Sequence, residues 1–553
     1  MSRKKFAVFV IFCLAISTFA SSPVIMSEID YLNQENYFNN IFLGNRTYNS
    51  SIQFYPVDEE VETDSFFRGS IEGYDVVFEH YVIANPNYAH TYSNNYIRFA
   101  SNGSVFVALL FRFQFKYLSL HGFQSDIPIE KDRHICTFTL PGPGCYYLDV
   151  KDLAREDVIG GGPYTIIFWI DDLDNMNASS MDLEDPGVTN VIDNGIQPDK
   201  NLDQTSEIQA LLDLPGVKLY FPQGVYRCGT INLKSDSRIY LAPGAIIKAV
   251  DDEDEIEDRA FIYAYNVSNI SLFGKGIIDA NNHELHNIKI EDSSEIHLQD
   301  IFIRGSDSWA LDFRNATNCT SQNMKIFSGK DGIDPDSSTN ILVNRAFVMG
   351  LDDAVAVKAR YGECRNILIK ESIVSSMKSS LKIGTETRYL MENVTFQDCD
   401  VFKGERGIVM YAYNGGPIKN VTWRNIDLSM TDWSAEKRSG YVFDLEIDYD
   451  EAEGIEPTFV LDCVIENITG NWIHSSFFRG VPDAYLENFT IEGVVVNVEK
   501  PKDSLDGCPY LFEIDENQPY VDLFFSNTTI NWQGNQKWWA GVSSSEKIII
   551  QSN

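Results

Sequence analysis

At 553 residues the chain is long enough for two domains rather than one. A formal charge of −36, from 80 acidic against 44 basic side chains, excludes nucleic acid and anionic membrane surfaces as partners. Eight cysteines beyond Cys13, spread from Cys136 to Cys508, are too sparse for a disulfide framework; Cys136 and Cys145, flanking a hairpin-like "TFTLPGPG", are the one pair expected.

The chain opens Met1-Ser2-Arg3-Lys4-Lys5, continues in an apolar run from Phe6 to Phe19, and reaches the small residues Ala20, Ser21 and Ser22. That order is the pattern of a secretory signal peptide over residues 1–20. No later apolar stretch is long enough to span a bilayer, and Glu546 to Asn553 is too short and polar for a lipid-anchor signal. A soluble, secreted, extracellular protein is therefore expected, and a monomer. Thirteen Asn-x-Ser/Thr triplets between Asn45 and Asn527 fit that route, although several sit inside strand-like repeats with little room for a glycan.

From about Ser51 to Trp169, short aromatic and β-branched runs such as "GYDVVFEHYVI", "SVFVALLFRFQF" and "GCYYLDV" alternate with Asn, Gly and Pro. Such spacing predicts a β-sandwich. "DDLDNMNASSMDLEDPG", Asp171 to Gly187, is polar and acidic and suits a linker, so the sandwich and linker are placed at 21–180. In "DQTSEIQALLDL" Ser206 and Gln209 stand at capping-box spacing ahead of a short amphipathic helix.

A repeat then dominates: a polar residue, alternating apolar positions and a second polar step, in "EIHLQDIFI" (Glu295), "NCTSQNMKI" (Asn318), "NILVNRAFV" (Asn340), "NILIKESIV" (Asn366), "NVTFQDCDV" (Asn393) and "NVTWRNIDL" (Asn420). Its period of 22 to 27 residues fits coils of a parallel β-helix, placed at 181–553. The predicted fold class is all-β: a right-handed parallel β-helix preceded by an N-terminal β-sandwich. Coils stack about 4.8 Å apart, so residues one repeat apart become neighbours.

That stacking gives meaning to "GLDDAVAVK", where Asp352 and Asp353 abut a segment with the apolar character of a buried strand. Asp331, in "SGKDGIDPDSS", lies twenty-one positions earlier, close to one coil, so the three carboxylates are expected to meet on adjacent coils. Crowded acids cannot all ionise, so at least one pKa should rise. An acid beside an ionised carboxylate is what glycosidic hydrolysis requires. One group protonates the leaving oxygen while another activates water.

"DGIDPDSSTNILVNRAFVMGLDDAVAVK" resembles the core of glycoside hydrolase family 28, the polygalacturonase family, and the resemblance extends more weakly from "DQTSEIQALL" to about Leu428. It implies Asp352 as general acid, with Asp331 and Asp353 positioning and activating water in an inverting mechanism, which ordinarily holds acid and base about 6.5–9.5 Å apart. The family's histidine position is taken by Ser379, and where its Arg-Ile-Lys grips a uronate carboxylate stand Val409 and Tyr411. Without that clamp a neutral or differently decorated glycan is expected, with Tyr411 and Tyr413 as stacking surfaces or as ordinary packing. A sandwich ahead of a β-helix is also similar to glycoside hydrolase family 49, the dextranase and isopullulanase family.

Lys358 and Lys382 are candidates to point into the cleft, holding sugar hydroxyls or keeping carboxylates ionised, with exposed edge residues of the solenoid as the alternative for each, and Glu386 and Arg388 one coil beyond the acidic pair are further substrate-binding candidates. "DDEDEIED", Asp251 to Asp258, lacks the loop pattern of a calcium site, and His283 and His286 lack a third ligand, so both are taken as loop features. No metal or other cofactor is expected. The reading is a secreted polysaccharide hydrolase; a lyase holding calcium and a non-catalytic glycan-binding β-helix are the alternatives.

Overall fold

The computed structural model describes residues 28–43, most of 50–174, 181–430 apart from 253–258, then 440–447, 459–472, 476–479, 485–498 and five short strands to 550. The expected signal peptide and most of the acidic run after Asp252 lie outside the described residues.

Parallel strands dominate from Val188 onward. One sheet of 12 strands runs from Ile231–Asn232 to Trp539–Ala540, and a continuous sheet of 25 strands makes the other faces of the coils. Each coil of the central stretch contributes three strands, for example Thr339–Asn344, Phe347–Gly350 and Val355–Ala359. Alternation along each strand decides what is buried: in Leu311–Arg314, Leu311 and Phe313 enter the core while Asp312 and Arg314 face outward. Like stacks on like inside, with Cys319, Ile341, Ile367, Val394 and Val421 in register through five coils.

The residue heading each repeat has a structural task. Glu295, Asn318, Asn340, Asn366, Asn393 and Asn420 all take positive φ, between 51° and 58°, the left-handed conformation that asparagine tolerates. From Asn318 to Asn420 their side chains form a ladder, each amide donating to the carbonyl oxygen of the previous coil at 2.8 to 3.3 Å.

The short helix forms as Thr205–Leu212, burying Ile208 and Leu212, but the capping box does not. Gln204 is the N-cap, and Gln209 instead ties the helix to the first coils: its Oε1 accepts from the Asn232 N–H and its Nε2 donates to the Asn232 carbonyl.

Ahead of the β-helix, sheets of eight and five mostly antiparallel strands pack face to face over a core that includes Phe99, Leu109, Phe138 and Phe168. Cys136 and Cys145 are both free, correcting the expected pair: Cys136 points into this core, whereas Cys145 packs beside the aromatic cluster on the opposite side of its sheet. That second cluster joins sandwich to β-helix. Tyr96 and Trp169 meet Phe302, Phe327 and Phe347, and Tyr147 stacks on Phe402 at 4.2 Å. Asp171, assigned to the linker from sequence, is instead buried at this junction, 3.1 Å from Lys275 and 3.4 Å from Lys325. Burial opposes its charge, but the two lysines prevail and hold its carboxyl down to about 2.

Candidate active site

Asp331 lies in the turn before Ile333–Asp336, and Asp352 and Asp353 lie in the equivalent turn one coil later, before Val355–Ala359. These turns stack closely because they carry glycine: a Cβ on Gly332 would come within 2.3 Å of Val348 and 2.5 Å of the Ala354 carbonyl oxygen. The result is convergence. One oxygen from each of Asp331, Asp352 and Asp353 lies within 4.8 Å of the others, with Asp331 and Asp353 buried and Asp352 partly exposed.

Lysines commit two of the three. Lys358 Nζ is 2.8 Å from Asp331 Oδ2 and 2.8 Å from Asp334 Oδ1, and it sits 3.8 Å above the Trp309 ring. Burial works against that ammonium, but Asp331 and Asp334 more than offset it and place its pKa well above the ordinary lysine value. Lys382 Nζ is 2.6 Å from Asp353 Oδ2 and lies over the Tyr411 ring at 5.2 Å. Burial opposes the Asp353 charge too, yet Lys382 wins and the carboxyl titrates below its usual range. Backbone groups complete the frame: the Asp353 N–H donates to Asp331 Oδ1 at 3.3 Å, and the Ser379 N–H donates to Asp353 Oδ1 at 3.2 Å. At the place of the family histidine, then, it is the backbone of Ser379 that reaches Asp353.

Raised carboxyls lie beside the trio. Asp334, one outward position before the Asp336 that is in register with Lys358, is fully buried, and burial lifts its carboxyl well above the usual range despite Lys358, with Asp331 adding to the rise. Asp312, its partner in register on the preceding coil, is also fully buried and is raised to about 6, by burial first, with Arg314 opposing and Asp336 adding. Sequence reasoning missed both, together with Trp309 and Arg360. The alternation in "WALDFR" and "GIDPD" was the available signal, since it sets Asp312, Arg314, Asp334 and Asp336 on the outward face.

The remaining candidates divide. Glu386 stands 3.9 Å from Arg360, whose guanidinium forks onto Asp336 at 2.7 Å and 2.9 Å. Arg388 is exposed, and its N–H donates to the Ala359 carbonyl. Tyr411 and Tyr413 stack at 5.3 Å and 12°, their hydroxyls donating to Asp444 and Glu446 at 2.5 Å and 2.7 Å. His283 and His286 are in strands rather than a loop; His286 is partly buried, edge-on to Trp309 and 4.0 Å from Asp312, and desolvation lowers its pKa to about 3, with Arg314 and Lys289 adding to the fall.

A divalent cation suits this trio poorly. Two lysine ammoniums already occupy Asp331 and Asp353, and their charge repels a metal. The arrangement instead gathers three carboxylates, two of them lysine-paired, within 4.8 Å of one another.

Comparison with known proteins identifies the family. The sequence model of glycosyl hydrolases family 28 matches residues 216–507, more than half the chain. A probable polygalacturonase from Vitis vinifera is 21% identical over 54% of this chain and 70% of its own length. Among solved structures, Dex49A from Penicillium minioluteum aligns with TM-score 0.54 at 13% identity, covering 88% of this chain and 96% of that one. The hyperthermoactive exopolygalacturonase from Thermotoga maritima aligns with TM-score 0.50 at 17% identity, covering 65% and 95%. The family match, spanning the aspartate trio and the coils that carry it, shows that this chain is a glycoside hydrolase and belongs to glycosyl hydrolases family 28.

Proposed function

We propose that this chain is a secreted hydrolase of a neutral polysaccharide, with Asp352 as general acid and Asp331 and Asp353 orienting and activating water. The substrate class rests on one observation. Among the residues whose side chains are described, the cations along the 12-stranded sheet near the trio are each paired with a carboxylate: Lys289 with Glu291, Arg314 with Asp312, Lys358 with Asp331, Arg360, just past its strand, with Asp336, Lys382 with Asp353 and Arg406 with Asp444. A uronate held on this sheet beside the trio would have to displace one of these pairs, whereas sugar hydroxyls can share them and rest on Tyr411 and Tyr413.

In this reading Asp352, the most solvent-accessible of the trio and the one beside two lysine-paired carboxylates, protonates the glycosidic oxygen as its bond to the anomeric carbon breaks. Water attacks that carbon and gives its proton to Asp331 or Asp353. One oxygen from each member of the trio lies within 4.8 Å of the others, closer than the usual inverting separation of about 6.5–9.5 Å, so the inverting course rests on the family resemblance. Following the first-formed anomer by NMR decides it: the opposite anomer supports inversion, and the retained one refutes it. Export rests on the charged and apolar leader over 1–20.

Reducing-sugar release across neutral and acidic polysaccharides, with wild type and Asp352→Asn, with and without chelator, tests the whole. Release from a neutral glycan, abolished by the substitution and indifferent to chelator, is expected. Release from polygalacturonate alone overturns the substrate class, and loss on chelation with unsaturated products overturns hydrolysis in favour of elimination.

A further inference from the structure

Two columns of charge run down the outward face of the 12-stranded sheet on the N-terminal side of the trio. In one, Glu291, Arg314, Asp336 and Lys358 follow each other in register with alternating sign. In the other, Lys289 is followed by Asp312 and then Asp334, two like charges on consecutive coils. In-register neighbours in a sheet stand about 4.8 Å apart, and neither carboxyl touches solvent.

The groups around them are unequal to two negative charges. Asp312 faces Arg314 on its own strand, Lys289 and the neutral His286 before it, and Asp336, Lys358 and Arg360 beyond it; Asp334 faces Asp312, Asp331 and Lys358. Arg314 takes Asp312 Oδ2 at 2.9 Å and Lys358 takes Asp334 Oδ1 at 2.8 Å. Asp312 Oδ1 and both Asp334 oxygens are buried with no hydrogen-bond partner among the described residues, Asp334 Oδ1 meeting Lys358 as an ion pair. These unpartnered acceptors stand on carboxyls in register on adjacent coils, and an O–H on either one would supply the donor that they lack.

We propose that Asp312 and Asp334 hold one proton between them at neutral pH, as a carboxyl donating to a carboxylate, and that this pair positions Asp331 by limiting how far Lys358 is drawn towards Asp334. While Asp334 stays neutral, Lys358 belongs to Asp331. When the last proton leaves, two carboxylates compete for one ammonium. The proton sharing stands on the geometry alone; its consequence for turnover rests on the hydrolase reading.

Two variants and two readouts test it. Thermal unfolding of wild type and Asp312→Asn is compared from about pH 4 to about pH 8. A folded-state pKa above the unfolded value means stability present at low pH and lost as pH rises, so wild type should lose stability relative to the variant through about pH 6. A pH-independent difference overturns the shared proton. For Asp334→Asn, the basic limb of kcat/KM should move to higher pH, by roughly one unit, because no carboxylate remains to draw Lys358 off Asp331. A limb that stays, or moves down, with turnover reduced throughout marks a merely structural pair and overturns the positioning. An amide keeps the donor of a neutral acid, so failure of both variants to fold at neutral pH also overturns the proposal. If wild type hydrolyses nothing, the hydrolase reading falls and the unfolding comparison alone decides the pair.

Discussion

Lys382 and Asp353 form a buried ion pair at 2.6 Å, and taking away one partner leaves the other in a medium that cannot solvate it. Lys382→Met should therefore destabilise the protein by about 3–5 kcal/mol at neutral pH, the range for breaking such pairs. Its sign with pH is fixed: the Asp353 carboxyl titrates below its ordinary value of 3.8 in the folded protein, so the pair stabilises above that value and ceases to as pH falls below it. Denaturant unfolding of both proteins at neutral and at strongly acidic pH checks this; an equal difference at both would show that Lys382 acts through packing. Turnover gives a second check, since Lys382→Arg keeps the charge and should recover part of the activity that Lys382→Met loses. Asp352→Asn should lose about 10²–10⁴-fold in turnover with its unfolding unchanged, as the proposed general-acid role at a solvent-accessible position requires. At this scale the aspartates were legible because Asp352 and Asp353 break an apolar run and Asp331 lies one coil before them. Their lysine partners were visible as residues but not as pairs, because which oxygen an ammonium reaches depends on the turns between coils. Asp312 and Asp334 stayed hidden for a related reason: an alternating strand shows which residues face outward but not which coil stands beside which.

The repeat heads convert sequence into stacking at the level of the element. Asn366 combines two duties: φ of 56°, and two ladder bonds, one to Asn340 at 2.9 Å and one from Asn393 at 3.1 Å. Asn366→Gly removes the ladder bonds while relieving the backbone, and Asn366→Ala removes them and adds left-handed strain of about 1–2 kcal/mol. The alanine variant should thus be less stable than the glycine variant by about that amount, measured by chemical denaturation; equal stabilities would assign the asparagine to the ladder alone. Asn366 suits this test because "NIL" is no glycosylation triplet, whereas the ladder residues Asn318, Asn393 and Asn420 each head one. The period of the repeat was readable because a left-handed residue, then alternating core positions, must recur once per coil. The helix start was not, since a capping box is only a local preference and the Gln209 side chain finds stronger use against Asn232 in the adjoining coil.

For the whole molecule, the question is whether sandwich and β-helix unfold together. Their junction has the chemistry of an interior: Trp169, 1% exposed, packs on Phe302, Phe327 and Phe347. Beside it the fully enclosed Arg304 bridges Asp279 at 2.7 Å and the Tyr96 hydroxyl at 3.0 Å. Such a seam was beyond sequence reasoning, because its aromatic residues lie on the backs of strands already explained by their own domains. An apolar junction of this kind is costly to open, so wild type should unfold in a single calorimetric transition. Trp169→Ala removes a large buried ring whose loss elsewhere costs about 3–5 kcal/mol, and the sandwich, smaller and held through this ring, should then melt first. Two resolved transitions in the variant, the earlier one abolished from scans of the β-helix alone, would establish the coupling. A single transition at the wild-type temperature would show instead that the buried charges, Asp171 with Lys275 and Lys325 above all, hold the two parts together without the aromatic cluster. In that case Lys275→Met is the substitution that should separate them, because it strands Asp171 with one lysine where it had two.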